Sequence, residues 1–224
     1  MTTPFQRIKN NFPDAHIIDA NHIDTLHDMI PDSWIDIISS PRKLWTTKIL
    51  DLWHLFKQQL PTFINQLEDR LREVIFFKSD NKYFIGYLVP FNGRDYLYVV
   101  GNPLETDRTA MAMIPKDFSD FYEILHDGFV FMSGYSGGPL PSRDFFKLNE
   151  YDWGFVEDNK NAFRNFNLAH FFAVFSNGGG GHLCIDIVHP KNVDNGIDWF
   201  DNDMPFEEPF WPLLDAWMEI GITG

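Results

Sequence analysis

The stretch FFAVFSNGGGGHLCIDI, residues 171–187, sets four consecutive glycines between two apolar runs. A phosphate-binding loop needs a helix after its glycines, with a lysine and a hydroxyl residue closing the motif. Here His182-Leu183-Cys184-Ile185-Asp186 follows, with neither that ending nor a helical period. The dinucleotide fingerprint fails likewise, because it too opens a helix, within a parallel strand–helix–strand unit. Phe171–Phe175 and Leu183–Val188 read instead as two strands. Asn177-Gly178 tolerates the positive φ that a chain reversal requires, and the other glycines permit a bulge or a close approach. The glycines therefore turn the chain, which makes antiparallel sheet the frame for everything around them.

Upstream, EVIFFKSDNKYFIGYLVPFNGRDYLYVVG (residues 73–101) carries the same signal twice over. Ser79-Asp80-Asn81-Lys82 supplies one turn and Asn92-Gly93 another. The spacing predicts a three-stranded meander at 73–78, 83–89 and 95–100. Tyr83, Ile85, Tyr87 and Val89 share one strand face, while Phe84, Gly86 and Leu88 share the other, so both faces are expected to be covered. Before the meander, Trp53, Phe56, Leu60, Phe63, Leu67 and Leu71 recur at helical spacing. Pro61 cannot sit inside one long helix, so a break near Leu60 is expected, with Pro61 opening a second helix.

Beyond the meander, Pro115 is placed to start a helix whose stripe is Phe118, Phe121, Tyr122 and Leu125, with Asp127-Gly128 as its exit. Residues 133–142 form a turn-rich loop, followed by a short helix through Phe145, Phe146 and Leu148. A terminal helix runs from Phe210, with Phe210, Leu213, Leu214 and Trp217 inward, and ends around Gly221. No linker or repeat interrupts this order, and residues 1–224 read as a single domain.

The charge excludes several partners. Lys plus Arg total 18 and Asp plus Glu total 32, a net charge of −14. That balance opposes direct nucleic-acid binding and favours a basic partner. The start of the chain lacks a secretory pattern and no stretch suits a membrane span, so a cytoplasmic protein without membrane contact is expected. The single Cys184 rules out an intrachain disulfide framework and fits a reducing compartment.

Five segments occur in an order that resembles the SUKH superfamily, the Smi/Knr-like proteins, many of which are immunity proteins against bacterial polymorphic toxins. They are IPKDFSDFYEILHDGF, KLNEYDW, FSNGGGGHLCIDI, GIDWFDNDMP and FWPLLDAWMEIGI. The resemblance is strongest over residues 112–221, and the N-terminal region is an elaboration. It implies an α+β fold with a curved, mixed, mainly antiparallel sheet packed against helices. It also implies a non-enzymatic chain that binds and neutralises a cognate toxin.

No catalytic or metal pattern competes with that reading. His182, Cys184 and His189 match no complete zinc spacing, and Cys184 reads as a small buried side chain. In GIDWFDNDMPFEEPF, Trp199, Phe200 and Met204 break the ligand spacing of a calcium loop. No cofactor is expected. Charge carries more information: from Asn192 to Gly224 there are eight acidic residues and no lysine or arginine. Asp201, Asp203, Glu207 and Glu208, with Trp199 among the interspersed aromatics, are the expected protein-binding residues. Acidic groups would steer a basic toxin, with a nuclease compatible with this charge, and aromatic burial would hold it. A general protein-interaction scaffold of the same superfamily is the alternative.

Overall fold

The computed structural model describes residues 3–91, 93–131, 137–164, 166–189, 196–200 and 204–223. Two antiparallel sheets meet helices around a shared core, giving an α+β fold. The first sheet orders its strands β1 (His16–Ile17), β2 (Glu73–Ser79), β3 (Lys82–Phe91), β4 (Arg94–Gly101) and β5 (Asp127–Phe131). The second contains β6 (Gly137–Pro139), β7 (Phe146–Lys147), β8 (Phe171–Asn177), β9 (Gly181–Asp186), β10 (Gly196–Phe200) and β11 (Phe206–Glu208). Its path runs β11-β10-β9-β8-β6, with β7 also paired to β8. Every strand pairing among the described residues is antiparallel. The sheets are open, and they are two where the resemblance implied one mixed sheet.

The expected meander forms with slightly longer strands. Asp80 and Asn81 both adopt positive φ, 48° and 61°, which is the backbone of a tight two-residue hairpin. The glycine reversal also forms, between β8 and β9. Its amides are satisfied by neighbouring side chains: Asn177 Oδ1 accepts from Gly179 and Gly181, each at 2.8 Å, and Ser176 Oγ accepts from Gly178 at 3.2 Å. These donors converge on the protein's own oxygens, as a chain reversal and not a phosphate cradle requires.

The helices are α1 (Pro4–Asn11), α2 (Asp32–Ser39), α3 (Trp45–Trp53), α4 (Pro61–Arg70), α5 (Arg108–Met111), α6 (Lys116–Asp120), α7 (Gly154–Asp158) and α8 (Phe210–Thr223). Pro61 opens α4 as its rigid φ and missing amide favour. Pro115 precedes α6, which continues as a π-helical turn through Phe121–Leu125. Asp127-Gly128 does not end that helix. His126 is already extended, and the two residues open β5. The helix expected through Phe145–Leu148 is likewise absent: Phe146 and Lys147 pair with Ala173 and Phe172. Gly221 lies inside α8, whose helix continues to Thr223. Among the described residues no helix is long and apolar enough to cross a membrane.

One core cluster draws side chains from Ile18 to Ile222 and fills the space between the sheets and α2, α3, α4, α6 and α8. A second cluster, with Ile8, Ile75, Phe77, Leu97 and Val99, packs α1 on the opposite face of the first sheet. A third lies beneath residues 148–171 on the far face of the second sheet. The helix junction at α4 shows how the chain's ends are coupled. Leu60, its N-cap, offers no capping side chain. Asp215 of α8 supplies the cap from a distance, its two oxygens accepting the Thr62 and Phe63 amides at 3.0 and 2.8 Å. We expect Asp215→Ala to lower stability by about 2 kcal/mol in urea titration, since it orphans two backbone donors, one of them buried. Asp215→Asn should fall between it and the parent; an alanine variant as stable as the parent would contradict the cap.

Candidate functional site

The expected binding residues lie on the last two strands of the second sheet. Register sets their faces: Asp198 opposes Phe206 and Gly196 opposes Glu208, so Asp198, Phe200, Phe206 and Glu208 share one face. Ile197, Trp199 and Glu207 share the other. Strand alternation thereby sends Trp199 inward, and it is fully buried. Trp153, Phe155, Phe163 and Phe166 pack around its ring, with the Trp153 centroid 5.1 Å away. Trp199 is a core residue, and its assignment as a contact side chain is corrected.

Glu207 and Glu208 are exposed on β11. Asp201 and Asp203 lie outside the described residues. Phe206, between the acidic positions and 60% exposed, offers the apolar contact that Trp199 cannot. β11 terminates the strand path, so no further strand of this sheet covers its outer edge among the described residues. Asp198 adds to the negative potential from behind. One of its oxygens is buried without a hydrogen-bond partner, and burial, followed by the charge of Glu208, raises its pKa.

On the same face as Phe206, a cavity of about 420 Å³ opens at the seam between the sheets. Phe129, Phe131, Phe175, Phe200, Trp217 and Met218 form its apolar walls. Trp217 lies against Phe175 and Phe200, with centroids at 5.3 and 5.8 Å. Tyr98 stacks on Phe129 at 4.8 Å and donates its hydroxyl to the carbonyl of Gly221, fastening the end of α8 to β4. Burial pushes this phenol far up, so it is a neutral donor throughout the physiological range. An aromatic-walled space of this kind accepts an apolar side chain or ring.

No protein-family model, curated protein or solved structure matches this chain. Function therefore has to be argued from the geometry of this face and from the ordered motifs. Of the aromatics in the acidic segment, register separates the available from the structural. Phe210, like Trp199, is buried, Phe206 is exposed, and Phe200 and Trp217 line the cavity. The run of charge marked the acidic segment but not its strands, and it missed the cavity, because Tyr98, Phe129 and Phe175 belong to three distant segments. Their only local signal is the aromatic alternation along each strand.

Cys184 occupies the opposite, covered face beside Ile197, fully buried. Its thiol is pushed well up by burial and then by the negative charge of Asp198, which suits packing and not nucleophilic chemistry. His182 packs against Phe146 and Trp153, and His189 pairs with Asp186 at 2.9 Å.

Proposed function

We propose that this protein is a non-enzymatic binding module of the immunity type, which neutralises a basic bacterial toxin by stoichiometric association. The observation that carries the reading is the terminal strand β11, where exposed Phe206, Glu207 and Glu208 face solvent at a sheet edge that no other strand among the described residues pairs. An edge strand offers main-chain pairing to a partner segment, while its side chains provide selectivity. The carboxylates accelerate encounter with a basic surface, and Phe206 with the neighbouring aromatic cavity retains an apolar anchor. The overall charge of −14 extends the same attraction over the approach. A single cysteine with a buried thiol fits action in the cytoplasm.

The direct test is capture of products of neighbouring genes on the immobilised protein, followed by rescue of cells that express the captured toxin. Rescue supports immunity, whereas binding without rescue supports a general interaction scaffold. Glu207→Gln/Glu208→Gln should slow association with the captured partner roughly three- to tenfold at low salt and little at high salt. Phe206→Ala should instead speed dissociation about tenfold. Unaltered rates in both folded variants would remove β11 from the interface.

A further inference from the structure

A second cavity, of about 440 Å³, lies on the opposite face of the first sheet, where α1 ends. Phe12, Phe84, Val99, Val130 and Leu140 supply its apolar walls. One buried charge sits among them. Asp127 is only 6% exposed, and a β-bulge aims it there. Val99 opposes Val130 and Gly101 opposes Asp127, so two residues of β4 span three of β5. Without the extra residue, Asp127 and Val130 would point to opposite faces; with it, both face the cavity.

The surroundings hold this arrangement in place. Gly128 takes φ +76°, and a Cβ there would stand 2.7 Å from the Pro141 nitrogen. A Cβ on Gly101 would approach the Asp127 side chain and carbonyl at 3.2 Å, so glycine keeps the space beside the carboxylate open. Asp127 Oδ1 accepts the Ser142 amide at 2.7 Å, and the Ser142 hydroxyl, which itself accepts the Asp107 amide, also bonds the carboxylate. The cations at the rim pair with carboxylates of their own, Lys82 with Glu105 and Arg143 with Asp144, both at 3.7 Å, and Arg143 offsets only part of the Asp127 charge. The five charged groups lining the cavity, Lys82, Glu105, Asp127, Arg143 and Asp144, sum to −1 when all are ionised. Burial raises the Asp127 pKa despite the Ser142 hydrogen bonds and the Arg143 charge, so its negative charge is incompletely compensated.

We propose that this cavity binds a small organic ammonium ion with an apolar body, its charge held by the Asp127 carboxylate. The cation supplies the charge that the fold withholds from Asp127, and the apolar body occupies the phenylalanine and valine walls. The site lies on the first sheet, on the face away from the seam cavity, and stands independently of the β11 surface on the second sheet.

Titration of the intact protein with 2-phenylethylamine, followed by calorimetry and amide NMR, tests the proposal. Saturable binding is expected, with shifts centred on residues 99–102 and 127–130. Asp127→Asn keeps an acceptor for Ser142 but removes the charge, and should weaken binding tenfold or more. The neutral analogue 2-phenylethanol should bind at least tenfold more weakly than the amine. In the unsubstituted protein, affinity for the amine should fall as pH is lowered and Asp127, its pKa raised by burial, takes up a proton, while the alkylammonium stays charged. Glu105 and Asp144 at the rim face the same ligand, and the asparagine variant separates their contribution. That pH series also serves if the variant fails to fold. No saturable binding, equal affinity for the alcohol, or an affinity indifferent to pH would overturn the assignment. Binding of Nα-acetyl-lysine amide without binding of the free amine would also overturn it, in favour of a partner's lysine.

Discussion

Gly138→Ala is expected to destabilise the protein by about 4 kcal/mol, combining backbone strain with a clash that nothing nearby can relieve. Gly138 has φ +129°, a region that side-chain-bearing residues avoid. A Cβ there would fall 1.9 Å from the carbonyl oxygen of Phe129. The obstacle is the backbone of β5, so no rotamer change can make room. This contact is also where the sheets meet: β6 ends the path of the second sheet and β5 that of the first. The seam forms one wall of the aromatic cavity, so the same variant should weaken binding of any apolar anchor there. Urea unfolding followed by tryptophan fluorescence provides the measurement. Gly154→Ala is the control, because a Cβ at Gly154 meets nothing within 4 Å; it should change stability by less than about 0.5 kcal/mol. A loss under about 1 kcal/mol for Gly138→Ala would mean that the two edges do not approach as described.

That seam marks the boundary of what was legible in the sequence. The meander and the glycine reversal were readable because turn residues and alternation act within a few positions. Asp80, Asn81 and Gly178 all adopt the positive φ their residue types favour. The break before Pro61 was readable for the same local reason. Division into two sheets was not, since it depends on Gly138 meeting Phe129 and on β7 joining β8. Phe145–Leu148 has apolar spacing compatible with a helix, yet pairing with Phe172 and Ala173 gives Phe146 and Lys147 strand geometry. At the candidate site, composition marked an acidic segment but gave no strand for it; the structure places part of that segment in β10 and β11. It could not assign faces, because the inward turn of Trp199 follows from the β10 register with β9 and β11. Asp215 illustrates the same limit: it counted toward the acidic segment, but its carboxylate caps α4 in the interior.

Acid should unfold this protein largely through His126, whose imidazole is fully buried among Trp53, Tyr87, Phe121 and Phe129. Neither ring nitrogen makes a well-formed hydrogen bond. Burial drives the pKa from 6.5 down to about 3, and the nearby Gly128 backbone offsets only part of that shift. The unfolded chain therefore binds a proton below pH 6.5 that the folded protein refuses until about pH 3. Stability from the neutral ring is complete above pH 6.5 and declines as pH falls, by about 1.4 kcal/mol per unit. Roughly 3 kcal/mol should be gone at pH 4, and about 5 kcal/mol once the folded ring protonates. Asp127 works in the opposite direction, because its raised pKa lets the folded state gain protons first on acidification. Asp14, held low by Ser79 and the Asp80 amide, and Glu68, held low by His54, add acid sensitivity only near and below the ordinary carboxylate range. Above the ordinary carboxylate range the histidine is thus set against Asp127 and Asp198, both raised by burial. His126→Leu, close in volume and without a titrating group, should flatten the stability profile there by about 1.4 kcal/mol per pH unit relative to the parent. Urea titrations of both proteins at pH 7, 6, 5 and 4.5 provide the comparison. Parallel profiles would show that the ring is hydrated or protonated in the folded protein, and that the aromatic cluster around it is more open than its geometry implies.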